Sequence, residues 1–218
     1  MKYFGIRASG FGIRIRMKSA CESRIPKTEE VYKEVHAMGL LGFNMLFAGI
    51  ALFLNGVSYF VKSFDRKTLG LINLLAAGFM TVNTLIGLVF AGLGFAGFDM
   101  TQVGTYANAA AGAAFALNFF ILGIHHYKEL TDFSLFGWFA LLMSLFSIAN
   151  FIYTCVYFVA SLWIFVYLWA MWALLWGQAF IASALKRKAV DKASPYFVLG
   201  NALFSLLIPA VLFLFGVL

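Results

Sequence analysis

An all-α membrane protein with six transmembrane helices is the fold class this sequence predicts, and three observations predict it. Of its 218 residues, 63% are apolar and 11% charged, where water-soluble domains run nearer half and a quarter. The mean hydropathy of +0.90 excludes a disordered chain as well, because disorder needs few apolar and many charged side chains. From Phe133 to Leu185 there are 53 residues without one charged side chain. As helix that run is about 80 Å long, more than twice a bilayer core, so the chain must cross, turn and cross back.

Apolar stretches place six spans at about 39–61, 70–93, 102–124, 133–157, 161–185 and 196–217. Polar or turn-forming breaks separate them. Lys62 to Lys67 follows the first span, Gly97-Phe98-Asp99 the second, and His125 to Glu129 the third. The fifth is followed by Lys186-Arg187-Lys188 through Lys192, closed by Pro195. The break at 158–161 is placed by length, since no strong turn signal marks it. Strand-period alternation with frequent turns is absent, which excludes a membrane β-barrel.

The basic residues sort by loop. Lys62, Arg66, Lys67, Lys128, Lys186, Arg187, Lys188 and Lys192 all fall after spans 1, 3 and 5, and none falls in loops 2 and 4. The positive-inside rule then puts the odd-numbered loops in the cytoplasm, with the C-terminus outside. A multi-pass protein of the cell (inner) membrane is expected, its lipid bilayer the first partner. The loops are too short to hold a catalytic domain. Cys21 and Cys155 have no metal or disulfide spacing, and three histidines (His36, His125, His126) are too few and peripheral for a metal site. No cofactor is expected.

Within the spans no Lys, Arg, Asp, Glu or His occupies a central position. Pumps, proton-coupled carriers and voltage sensors need such groups, and no filter-like Thr-Val-Gly-Tyr-Gly run suggests an ion channel. Transport of an uncharged solute fits. Ser-His, His-Glu-x-x-His and paired-carboxylate patterns are also missing from the spans, so an enzyme is not expected. The polar inventory there is mostly amide: Asn44, Asn55, Asn73, Asn83, Asn108, Asn118, Asn150, Gln178 and Asn201. Helix–helix hydrogen bonding is the ordinary role for such amides; lining a pore is the alternative for one or two.

Two aromatic pairs stand at helical spacing, Phe115 with Phe119 and Trp172 with Trp176. Each pair lies one turn apart on one helix face. The indoles fall near the middle of span 5, away from the headgroup region that Trp usually favours. Facing one lumen, the rings would wall a flat apolar slot; ordinary packing explains the spacing equally well.

The sequence from Met38 onward resembles the AmiS/UreI family of bacterial urea channels and short-chain aliphatic amide transporters. Six elements carry the resemblance: Met45 through Gly56 with its Gly49 and Asn55, Ile72-Asn73 with Gly78, Gly112-x-x-Phe115-x-x-x-Phe119, Phe136-Gly137-Trp138-Phe139, Trp172-Ala173-Leu174-Leu175-Trp176, and Pro195 with Leu207-Ile208-Pro209. The resemblance implies three two-helix hairpins around a pore in each protomer, assembled as a homohexamer. It implies constrictions built from Met45, Ala48 and Leu52, from Phe115 and Phe119, and from Trp172 and Trp176. Urea or a small amide such as acetamide would be the permeant, with a functional link to a cytoplasmic urease or amidase. A non-transporting membrane sensor or assembly partner is the alternative.

Three departures from the family pattern matter. Asn201 stands where urea-channel members place a carboxylate, and Phe119 where the urea-selective branch has Tyr. Asn201 can still exchange hydrogen bonds but cannot titrate. The outer loops lack the histidines of acid-gated members, which implies a pore insensitive to external pH.

Residues 1–37 carry eight further basic residues, which the orientation above would leave outside. They have no continuous apolar core, so they are no signal peptide. Lys33-Glu34-Val35 back-translates to a ribosome-binding-like sequence just upstream of the Met38 codon. Two readings compete, a basic N-terminal extension over 1–37 ahead of a six-helix domain over 38–218, or a start placed too early with Met38 as the true one, and the second is favoured; the eight remaining bases and five acids then leave a charge of +3, and nothing suggests nucleic acid. Intact-mass measurement of native protein should give the mass from Met38, and a mass including residues upstream of it would overturn that start.

Overall fold

The computed structural model describes residues 28–61, 63–92, 103–157 and 163–217. The described residues are helical apart from short connections: α1 (Thr28–Ser58), α2 (Arg66–Gly92), α3 (Val103–Tyr127), α4 (Ser134–Tyr157), α5 (Trp163–Ser183), α6 (Lys188–Asn201), a π-helical segment (Ala202–Leu207) and α7 (Ile208–Leu214). The last three form one continuous element, so six helices are long and apolar enough to cross a membrane. The first 27 residues, Asp99 and the break at 158–161 lie outside the described residues.

Helix α1 begins at Thr28, and the part of it long and apolar enough to cross a membrane is Leu40–Ser58. One boundary differs from the sequence expectation. The sixth span begins at Lys188, so the segment expected as a loop up to Pro195 is helix. Proline inside a helix removes one N–H and its bond to the carbonyl four residues back. Here that carbonyl belongs to Asp191, in charged and exposed first turns, where solvent can take it up.

The helix ends on the basic side are fastened locally. Asp65 accepts from the Thr68 backbone N–H at 2.8 Å and from its hydroxyl at 2.6 Å. Asp132 accepts likewise from Ser134, at 3.1 and 2.5 Å. Both satisfy first-turn N–H groups that have no helical partner. Arg66 donates to the Leu130 carbonyl at 3.4 Å, and Lys186 stands 3.6 Å from Asp132. The connections after α1, α3 and α5 therefore share one face of the bundle.

The closest helix pairs are α2 with α3, α4 with α5, and α1 with the sixth span. Helices α1 and α2, and α5 and α6, also touch. Loop sidedness fixes direction but not neighbours; small residues fix the neighbours. A Cβ on Gly70 would collide with the Tyr127 backbone nitrogen and come within 2.8 Å of the Gly123 carbonyl. A Cβ on Gly137 would stand 2.5 Å from the Ala184 nitrogen, joining α4 to the end of α5. Along α1, Gly42, Gly49 and Gly56 recur every seven residues and seat Phe213, Leu207 and Leu199 of the sixth span. The opposite helix faces, such as Leu71, Leu75, Val82, Leu85 and Val89 of α2, are exposed apolar surface for lipid.

Pro209 accounts for the π-helical segment. Its missing N–H interrupts the ladder, and the Tyr167 hydroxyl of α5 donates to the Phe204 carbonyl at 3.2 Å. Gly70→Ala should lower stability by about 1–3 kcal/mol through backbone displacement. Gly78→Ala, where nothing lies within 4 Å, should not lower it; thermal unfolding of the two variants in detergent checks the contrast.

Candidate functional site

Two cavities lie along the bundle interior. On the basic side a vestibule of about 960 Å³ is lined by Leu52, Asn55, Asn118, Phe119, Trp176 and Gln178, among others, and opens toward Arg66, Asp132 and Lys186. Toward the opposite face lies a narrow cavity of about 40 Å³, lined by Asn44, Met45, Ala48, Gly112, Phe115, Trp169 and Trp172. The eight sequence-selected residues are all buried, none more than 5% exposed. Seven of them line one cavity or the other. Asn201 lines neither: its amide donates to the Phe197 carbonyl at 3.3 Å and accepts from Ser205 at 3.0 Å.

An aromatic layer stands between the cavities. The Phe115 ring lies edge-on to Trp172 at 4.9 Å and to Trp176 at 5.5 Å, with interplanar angles of 69° and 66°. Such T-shaped contacts set a positive ring edge against a negative face. Trp169, which the spacing argument passed over, continues the layer edge-on to Trp172 at 5.0 Å. Leu52 and Phe119 face the vestibule side of the layer, and Met45 and Ala48 the narrow side. The helical spacings seen in sequence thus converge from α1, α3 and α5 on one place.

The amides divide into two groups. Asn55 and Asn73 exchange reciprocal hydrogen bonds between α1 and α2, at 2.7 and 3.2 Å, and each also donates to the carbonyl one turn back. Asn83 donates to the Leu40 carbonyl at 2.8 Å and to the Asn44 carbonyl oxygen at 2.9 Å. Gln178 donates to the Ser194 hydroxyl, tying α5 to α6. These hold helices together. Asn118 differs, since its carbonyl oxygen is buried beside the vestibule without a hydrogen-bond partner among the described residues. It shares a helix face with Phe115, three residues away, which is the sequence signal that marks it.

The indole N–H groups of Trp172 and Trp176 are likewise buried and without a partner. Indole nitrogen is a donor only, and a buried donor left unmade costs about 1–3 kcal/mol. Two donors in the aromatic layer and one carbonyl acceptor at its vestibule edge are therefore available to a guest. A solute with one carbonyl and one NH2 is complementary to that set. The apolar walls offer an ion no replacement for its hydration shell.

A family model described as AmiS/UreI family transporter matches residues 40–217. The chain belongs to the AmiS/UreI family. Membership makes it a multi-pass membrane transporter and not an enzyme. The fold is similar to that of the Helicobacter pylori urea channel in its closed state, determined by electron cryo-microscopy, with a TM-score of 0.68 at 22% identity over 82% of this chain and 99% of that one. The crystal structure of the urea channel from the same gastric pathogen gives 0.64 at 22% identity, over 79% and 96%. At this identity the likeness carries the fold. No curated protein matches the sequence.

Because Asn55 and Asn73 satisfy each other, losing one strands its partner. Asn55→Leu and Asn73→Leu should each cost about 1–3 kcal/mol, and the double variant distinctly less than their sum. A double-mutant cycle of unfolding in detergent reads that difference, and strict additivity would contradict the pairing.

Proposed function

We propose that this chain is a passive channel for small, neutral, planar solutes: urea and short-chain aliphatic amides such as acetamide. One observation carries the reading. Two buried indole N–H donors, on Trp172 and Trp176, have no partner among the described residues and stand in an aromatic layer between two cavities, with the Asn118 acceptor at its edge. A permeating amide sheds water at the layer, stacks its flat face on the rings, and replaces lost hydration with these groups. Binding stays weak because each contact is single and neutral, as rapid passage requires. Passage requires Phe115 to yield, since its ring edge meets both indoles.

Family membership and the likeness to a urea channel support this permeant class. Phe119, which lines the vestibule with a ring that bears no hydroxyl, favours the broader amide-type specificity over strict urea selectivity. In the same reading the basic loops face the cytoplasm, the membrane is the inner membrane, the protomers assemble as a homohexamer, and a cytoplasmic urease or amidase consumes the solute.

The channel is not gated by external acid, because the loops after spans 2 and 4 carry no histidine. On the opposite, basic rim, hydrogen bonds from Thr68 and Ser134 hold the Asp65 and Asp132 carboxyls below the usual carboxylate range. Both therefore stay ionised as the pH on that side falls from neutral to mildly acidic.

Flux of labelled urea and acetamide into proteoliposomes tests the proposal. Wild-type protein should pass both, with rates within about twofold between about pH 7 and about pH 5; a severalfold rise in acid would overturn the ungated reading. Trp172→Phe or Trp176→Phe should slow both solutes about threefold to tenfold by removing one donor. Trp172→Ala or Trp176→Ala should admit glycerol. Unchanged permeability ratios in all four variants would remove the indoles from the pathway, and no wild-type flux would leave a non-transporting sensor.

A further inference from the structure

The vestibule holds one amide that the account above uses only in part. Gln178 of α5 lines that cavity and is buried, as is Ser194 of α6, to which its amide donates. Asn55, which lines the same cavity, spends both edges of its amide on Ala51 and Asn73. Gln178 spends one edge.

Which edge it spends follows from a proton count. A serine hydroxyl has one proton to give, and a serine within a helix commonly returns it to the carbonyl one turn back. Ser194 does so, donating to the Val190 carbonyl at 3.1 Å. Toward Gln178 the Ser194 oxygen can then only accept, so the edge of Gln178 that meets it is the NH2. Donation runs from Gln178 through Ser194 to Val190, and this fixes how the amide is turned. Its carbonyl oxygen faces away from Ser194, accepts no hydrogen bond among the described residues and keeps accessible surface. The cavity that reaches Gln178 is the vestibule.

We propose that the Gln178 carbonyl oxygen is a specificity-determining acceptor on the vestibule side of the aromatic layer. It accepts from the NH2 of urea or of a primary amide. Ser194 is a positioning residue that keeps the oxygen, and not the NH2, turned to the solute. Trp176, which lines the same vestibule, offers a donor only. The indole thus selects for a carbonyl and Gln178 for an N–H. A flat ketone satisfies the first requirement and fails the second. This inference rests on the channel reading above and names the group that makes such a channel prefer amides to ketones of the same shape.

Flux of labelled acetamide into proteoliposomes, with unlabelled acetamide or acetone as competitor, tests it. Acetone has the outline of acetamide and no N–H. In wild-type protein acetone should half-inhibit only at a concentration about threefold or more above that of acetamide. Gln178→Met, which keeps the length and removes both amide edges, should raise the half-saturating acetamide concentration about threefold to tenfold while the acetone value stays within about twofold. Ser194→Ala, which frees the amide to turn, should narrow the preference for acetamide over acetone, and Ser194→Thr should keep it. Acetamide half-saturation unchanged in Gln178→Met, with saturable wild-type flux, overturns the acceptor and leaves the channel standing. An equal rise for acetamide and acetone also overturns it, since lost packing would then be the cause. The same preference in Ser194→Ala as in Ser194→Thr overturns the positioning role. Absence of wild-type amide flux defeats the channel reading and the acceptor with it.

Discussion

Inside a bilayer no water is at hand to rescue a stranded polar group, so every buried donor and acceptor must find its partner within the protein. Most of this bundle obeys that constraint. The Asn55–Asn73 pair closes on itself, Asn83 spans to Asn44 and Leu40, and Gln178 reaches Ser194. Even the Phe204 carbonyl of the π-helical segment is met by Tyr167. Among the described residues the exceptions are the Thr84 and Ser147 hydroxyls, His126 Nδ1, the Asn118 oxygen and the indole N–H groups of Trp172 and Trp176; the Asn118 and indole groups belong to residues that line the two cavities. In the proposed channel the solute partners those last three groups.

The geometry around those three groups comes from backbone approach. Glycines 42, 49 and 56 draw α1 onto the sixth span, and Gly70 with Gly123 draws α2 onto α3. With those faces closed tightly, the bulky rings of α3 and α5 are left to fill the interior, where Phe115 meets Trp172 and Trp176 edge-on. The fold thereby separates two kinds of interior surface. Reciprocal amides lock the helices, and rings with unspent donors form the layer between the cavities.

Much of this was legible in the sequence. Span number followed from apolar length and charge-free runs, and the ring pairs followed from a spacing of four. Three things were not legible. The start of the sixth span was hidden because Lys188 to Pro195 has the composition of a loop, although its early turns project beyond the apolar region as helix. Which helices pack closest was not legible because loop charge reports sidedness only, whereas close approach at glycines decides contact. The distinction between Asn55 and Asn118 was beyond sequence reasoning, since both are buried span amides and only the residue across the interface decides which is satisfied. Asn201, selected by resemblance, turns its amide to its own helix and to Ser205.

The central claim is that the Trp172 and Trp176 donors wait for a permeating carbonyl. Nitrogen-15 labelling of the indoles, read by NMR during an acetamide titration in nanodiscs, addresses it most directly. The account predicts saturable shifts of the Trp172 and Trp176 N–H resonances while Trp138 and Trp163, exposed on the outer surface, stay fixed. Resonances that do not move, or that move equally for all of these indoles, would contradict it.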